Sequence, residues 1–251
     1  MRKISDILLN RRTIRKYSSK PVDDELLNEL LQMGCRASTT GNMQVYSIIV
    51  TRDEDKKKEL GPCHFNQQMI SEAPVVLTFC ADFNRFSRWC RLNKAEPGYN
   101  NFLSFMTASI DALLVAQTVC IGAEAQGLGI CYLGTTLYMA HKIIDVLKLP
   151  AGVVPVTTVT IGWPDENPEQ VDRLPVEAII HNETYSDYPD SNIATYYREK
   201  EERKDSKQFV NENSKKSLAQ VFTDVRYKKA DNIHFSNILI QVLKDQGFME
   251  Q

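Results

Sequence analysis

The chain has 251 residues, with 30 Lys and Arg against 32 Asp and Glu and a formal net charge of -2. Its 43% hydrophobic and 25% charged residues are those of a globular protein with a core, which excludes global disorder. Without a basic excess, capture of nucleic acid by bulk charge is excluded too, so any anion site must be built from a local cluster.

The opening apolar patch is broken by Ser5 and Asp6 and closed by Arg11 and Arg12, too short for a signal peptide or a membrane span. Asp23 heads DDELLNELLQMG, which places Leu26, Leu27, Leu30 and Leu31 on one helical face with acids in the first turn. The β-branched run 45–51 predicts a strand, DEDKKKEL a charged helix, and PVVLTFC from Pro74 a central strand. Residues 104–126 are apolar on nearly every side and read as a buried central helix, ended by Gly127 and Gly129. ICYLG reads as a third strand, MAHKIIDVLKLP as an amphipathic helix, and VVPVTTVTIGW as a fourth strand before a loop marked by Pro164, Pro168 and Pro175. The character changes near residue 186: positions 198–205 are eight consecutive charges, a solvated helix or mobile arm, and 235–248 is apolar enough to dock as a terminal helix. One domain is expected, a core over 1–185 with a C-terminal extension over 186–251 that packs on the core or on a partner subunit.

Several chemistries lack their signatures. The six cysteines form no CxxC pair, and Cys80, Cys120 and Cys131 sit in apolar runs, as expected of a cytoplasmic protein with reduced thiols. His64, His141, His181 and His234 show no zinc spacing, and neither a GxSxG elbow nor a GxxxxGK[ST] loop is present. Gly127-Leu128-Gly129 follows a helix and precedes a strand, the reverse of the Rossmann order. No side chain stands out as nucleophile, acid or base, so an enzymatic reading needs a cofactor that brings its own chemistry.

Against this background Arg11-Arg12-Thr13-Ile14-Arg15 stands out. In an extended backbone Arg11, Thr13 and Arg15 point one way and Arg12 and Ile14 the other, two guanidinium forks and a hydroxyl suited to a phosphate. The loop Ala37-Ser38-Thr39-Thr40-Gly41-Asn42-Met43-Gln44 is dense in groups that could read a polar heterocycle, and Cys131-Tyr132-Leu133-Gly134-Thr135 offers main-chain amides and an aromatic wall. Asp172-Arg173-Leu174-Pro175 presents a further cation in a proline-bounded loop.

In their order and spacing these elements resemble the FMN-dependent nitroreductase superfamily, in its oxygen-insensitive NAD(P)H nitroreductase and flavin reductase branch. The marks are RRTIR followed by Tyr17 and Pro21, ASTTGNMQ, FCADFNR, GLGICYLG, KLPAGVVPVTTVTIGWP, and DRLP leading to HNETY. The resemblance implies an α+β fold, a mixed central sheet flanked by helices, and an intertwined homodimer with FMN tightly but non-covalently bound at each interface. It implies that Arg11, Arg12, Thr13, Arg15 and Arg173 hold the phosphate and ribityl chain. Ser38, Thr39 and Thr40 would line the flavin, Gln67 would contact its ring, and Tyr132, Leu133, Gly134 and Thr135 would lie behind it. Basic residues near 203 meet the 2′-phosphate of NADPH in some relatives, which makes Arg203 and Lys204 candidates here. Two departures stand out: Thr-Thr-Gly-Asn replaces a longer serine run, and Val171 stands where many relatives carry a lysine. The implied activity is a ping-pong transfer of hydride from NAD(P)H to the flavin, then of two electrons to a nitroaromatic, quinone or free flavin, with no catalytic side chain. Nucleic acid and membrane are not among the expected partners. The alternatives are an FMN-binding redox sensor or carrier without turnover, and another flavin-dependent reaction on the same fold.

Overall fold

The computed structural model describes residues 4–250. Two compact units divide the chain: one comprises the chain up to Glu169 together with the stretch from Phe235 onward, the other runs from Gln170 to His234.

In the first unit, helix α1 (Ile4–Leu9) is followed by α2 (Asp24–Gly34), whose N-cap Asp23 accepts a hydrogen bond from the Leu26 amide. The same device opens α3 (Glu54–Leu60), where Asp53 accepts from the Lys56 amide. Strands β1 (Tyr46–Thr51) and β2 (Val75–Asp82) flank α3 and the one-turn helix α4 (Met69–Glu72). Helices α5 (Asn84–Leu92) and α6 (Phe102–Ala125) come next, then β3 (Gly129–Leu133), α7 (Ala140–Leu147) and β4 (Val153–Gly162).

The four strands form an antiparallel sheet of order β1-β2-β4-β3. Every residue of β2 and β4 is buried, as the continuous apolar runs predict for strands covered on both faces. Helix α6 runs under the sheet and packs Ala108, Ala112, Val115, Ala116 and Val119 against Leu77, Phe79 and Val159 in the main core. It is long and apolar enough, by length and composition alone, to cross a membrane. One side of α6 departs from the sequence expectation of burial all round. Leu103, Met106, Ile110, Leu113 and Leu114 are spaced three and four residues apart and exposed, forming an unpartnered apolar stripe.

Gly129 also departs from expectation. Gly127, with φ +84, ends α6, whereas Gly129 is the first residue of β3. Its role is close approach: a Cβ there would lie 2.6 Å from Ile14 Cβ. A second core beside α7 holds Ile14, Tyr17, Leu60, Ile70, Cys131, Leu133 and Ile143. Cys63, Cys80, Cys90, Cys120 and Cys131 are all buried thiols.

In the second unit the charged run is helical, broken at Arg203 into α8 (Asp190–Glu202) and α9 (Lys204–Glu212). The short α10 (Leu218–Val221) follows. Helix α11 (Lys229–Asp245) begins in this unit and from Phe235 belongs to the first, where Val242, Leu243 and Phe248 join the main core.

The Ile14–Gly129 contact predicts that Gly129→Ala lowers stability by about 1–3 kcal/mol, the usual cost of overpacking. Gly134→Ala, where an added Cβ meets nothing within 4 Å, leaves thermal unfolding unchanged. Melting curves of the two variants check the contrast.

Candidate functional site

The arginine segment is fixed by strand-like pairing with β3. Thr13 bridges Ile130 in parallel, the Ile14 amide donates to the Ile130 carbonyl at 3.0 Å, and Tyr17 bridges Pro164. The four strands themselves pair only antiparallel, where a mixed sheet was expected, and this parallel bridge lies outside them. Tyr17 locks the segment from inside, its hydroxyl 2.8 Å from the Ile14 carbonyl and 2.7 Å from Thr160 Oγ1. Burial raises its pKa, so the phenol stays protonated.

With Ile14 and Tyr17 facing inward, the arginines take different routes. Arg11 Nε lies 3.5 Å from Glu124 Oε1 near the end of α6, and Arg12 Nη1 donates to Asn167 Oδ1. Burial pushes the Glu124 carboxyl up, opposed by the Arg11 charge. Arg15 has an exposed side chain that forms no ion pair among the described residues, while its amide and that of Lys16 donate to Glu166 Oε1. A cavity of about 580 Å³ opens beside this segment, lined by Arg11, Arg12, Asp6, Glu124, Glu166 and Asn167 among others. Thr13 and Arg15 do not line it.

The hydroxyl loop is anchored from behind by a buried carboxylate that interrupts α6. Asp111 Oδ1 accepts from the Thr40 amide at 2.9 Å and from Thr40 Oγ1 at 3.2 Å. The Thr40 hydroxyl is therefore engaged, whereas those of Ser38 and Thr39 make no hydrogen bond among the described residues. Left-handed backbone at Gly41, Asn42 and Gln44 turns the loop into β1.

Tyr132 lies near the end of β3. Its ring packs on the main core, and its hydroxyl donates to Gln117 Oε1 on α6 at 3.4 Å. Leu133 is buried in the second core, so polar groups at this strand end come from the main chain, Gly134 and Thr135. Thr135 Oγ1 lies 2.8 Å from Nδ1 of the fully buried His64, three residues before Gln67. The Gln67 amide donates to the His64 carbonyl at 3.1 Å. Two predicted groups, Gln67 and Thr135, are thus joined through a residue the sequence reading had passed over.

Arg173, Arg203 and Lys204 lie in the second unit. Arg173 Nη1 donates to the neighbouring Asp172 carbonyl at 2.8 Å. The Asp172 carboxylate binds Lys200 at 2.6 Å and approaches Arg203 Nε at 3.8 Å, and Arg203 also pairs with Asp205 at 3.0 Å. Arg203 is therefore countered by two carboxylates; Lys204 is exposed at the start of α9.

Sequence reasoning missed Asp111, Glu124, Glu166 and His64. Asp111 and Glu124 had a signal: each is a charge within an apolar helix, and buried charges are kept when they hold something. His64 had none.

The nitroreductase family model matches residues 8–163. An FMN reductase (NADPH) of Bacillus subtilis is 34% identical over 208 residues, covering 78% of this chain and 83% of that protein. The oxygen-insensitive NADPH nitroreductase of Salmonella typhimurium is 29% identical, covering 76% and 78%. Among solved structures, one from Bacteroides fragilis is 57% identical with a TM-score of 0.97 over 98% of this chain and 100% of that one. The NfrA1 nitroreductase of Bacillus subtilis superposes with a TM-score of 0.86 at 27% identity, covering 98% and 99%. With the arginine segment, the hydroxyl loop, Gln67 and β3 all inside the matched residues, the chain belongs to the nitroreductase family.

Proposed function

We infer that the chain is an FMN-dependent oxidoreductase that takes its electrons from NAD(P)H. The observation that carries the reading is the state of the arginine segment. Arg12 Nε is a buried donor without a hydrogen-bond partner among the described residues, Arg11 Nε has only the Glu124 carboxylate at 3.5 Å, and the Arg15 guanidinium stands exposed without an ion pair among the described residues. Donors of this kind ask for an anion, and a phosphate monoester accepts from several at once. The nearby carboxylates are already engaged, Glu166 by two backbone amides and Glu124 by Arg11. The residues present therefore fit FMN.

In this reading Arg15, supported by Arg11, Arg12 and Thr13, binds the phosphate. Ser38 and Thr39 offer free hydroxyls to the cofactor, and Thr40 fixes their loop on Asp111. Gln67, Thr135 and the main chain from Tyr132 to Gly134 supply the remaining polar contacts. FMN, when bound, supplies the redox chemistry, accepting a hydride from the reduced nicotinamide and passing two electrons to a small-molecule acceptor. The protein's own contribution is placement, which removes much of the entropic barrier, and fixed dipoles around the charge that develops. Such placement needs no side chain as obligatory acid or base.

The exposed stripe on α6 supports a homodimer, since a second copy would cover Leu103, Met106, Ile110, Leu113 and Leu114. Retained thiols at all six cysteines favour a cytoplasmic setting.

Arg15→Ala is expected to lose FMN, because each charged hydrogen bond forfeited costs roughly 1.5–3 kcal/mol, at least a tenfold weaker Kd. Flavin retained at one per chain with unchanged affinity would remove the phosphate from this segment. Ile110→Asp places a charge in the middle of the α6 stripe and should convert a dimer into a monomer by light scattering. An unchanged mass would take that face out of the interface.

A further inference from the structure

The short turn Gly61–His64 leads into an unusual backbone. Phe65 and Asn66 both adopt left-handed conformations, φ 53 and φ 54, immediately before Gln67. Two successive non-glycine residues in this region are costly, and a bulky Phe is the more unusual of the two. What holds them is local. The Asn66 amide donates to the Gly61 carbonyl at 2.9 Å, and the Gln67 amide donates to the His64 carbonyl at 3.1 Å. The His64 side chain ties the turn to the strand end of β3 through Thr135 Oγ1 at 2.8 Å.

His64 is fully buried, and its second ring nitrogen, Nε2, has no hydrogen-bond partner among the described residues. Burial alone lowers its pKa to about 4, so the ring is neutral at physiological pH. A neutral imidazole carries one N–H. On Nε2 that proton would be a buried donor with nothing to meet; on Nδ1 it is hydrogen-bonded. With the proton on Nδ1, Thr135 Oγ1 is the acceptor, and the threonine's own hydroxyl hydrogen is left to donate elsewhere. Thr135 is partly exposed, so that hydrogen can serve a ligand.

We propose that His64 is a positioning residue: its imidazole fixes the Thr135 hydroxyl as a free hydrogen-bond donor and, through its carbonyl, sets the backbone that presents Gln67, so both meet the flavin preorganised. The proposal rests on the reading of the site as FMN-binding. It differs from a packing role because it requires a donor at the Nδ1 position, not merely a filled volume.

The test compares His64→Leu, which fills space without a donor, with His64→Asn, whose amide occupies the place of Nδ1. On the other side of the bond, Thr135→Val removes the hydroxyl and Thr135→Ser keeps it. FMN affinity of each stripped protein is read by quenching of flavin fluorescence, and the visible absorption band of the bound flavin is recorded. His64→Leu and Thr135→Val should each weaken FMN by about tenfold or more and displace the band in the same direction. The double variant should be no worse than the poorer single, while His64→Asn and Thr135→Ser stay within about threefold of the unchanged protein. Should His64→Leu fail to fold, the contrast between Thr135→Val and Thr135→Ser decides. Equal affinities for His64→Leu and His64→Asn, additive losses in the double variant, or an unaffected Thr135→Val would overturn the proposal and leave the FMN reading standing. An unchanged protein that does not bind FMN would overturn both.

Discussion

The seating of Ile14 on Gly129 is the contact on which the rest of the site depends. It lets a short segment lie in parallel beside β3, and Tyr17 closes it against Thr160. An extended chain pinned at two inward residues has no freedom left in where its intervening side chains emerge. The arginines at 11, 12 and 15 therefore leave the sheet edge at fixed places, and a nearly neutral protein acquires a local concentration of guanidinium groups. Moving the segment by one residue would put Thr13 or Arg15 where Ile14 sits, burying a hydroxyl or a charge in an apolar seat.

The polar groups behind the site follow a common plan: each is a buried or half-buried side chain that fixes something in front of it. Asp111 reaches out of α6 to hold the Thr40 amide and hydroxyl, which sets the loop bearing Ser38 and Thr39. Glu124, one helix end away, holds Arg11, and Glu166 gathers the amides of Arg15 and Lys16. His64 does the same for Thr135. Supports of this kind limit the motion of the groups that touch a ligand, which is what preorganisation requires.

Much of this was legible in the sequence because it is local. The capped helix after Asp23, the fully apolar strands β2 and β4, and the arginine cluster are patterns within a dozen residues. The remainder depends on contacts between distant residues. The direction of the Tyr132 ring is decided by Gln117 and the core, and the burial of His64 by the strand end that Thr135 occupies. The apolar residues of α6 likewise look alike in sequence whether they face a sheet or a stripe awaiting a second copy. Gly129 was misplaced for the same reason: a glycine after a helix usually marks its end, and only Ile14, far away in sequence, shows why it is needed at the head of a strand.

Whether these supports serve an FMN reduced by nicotinamide nucleotide is decided by an anaerobic absorbance trace of the purified, FMN-loaded protein. A yellow protein is expected, whose visible flavin bands bleach on addition of NADPH or NADH and return when a quinone or nitroaromatic acceptor is added. Bands that persist with both nucleotides would contradict that reduction, leaving a flavin-binding protein without turnover.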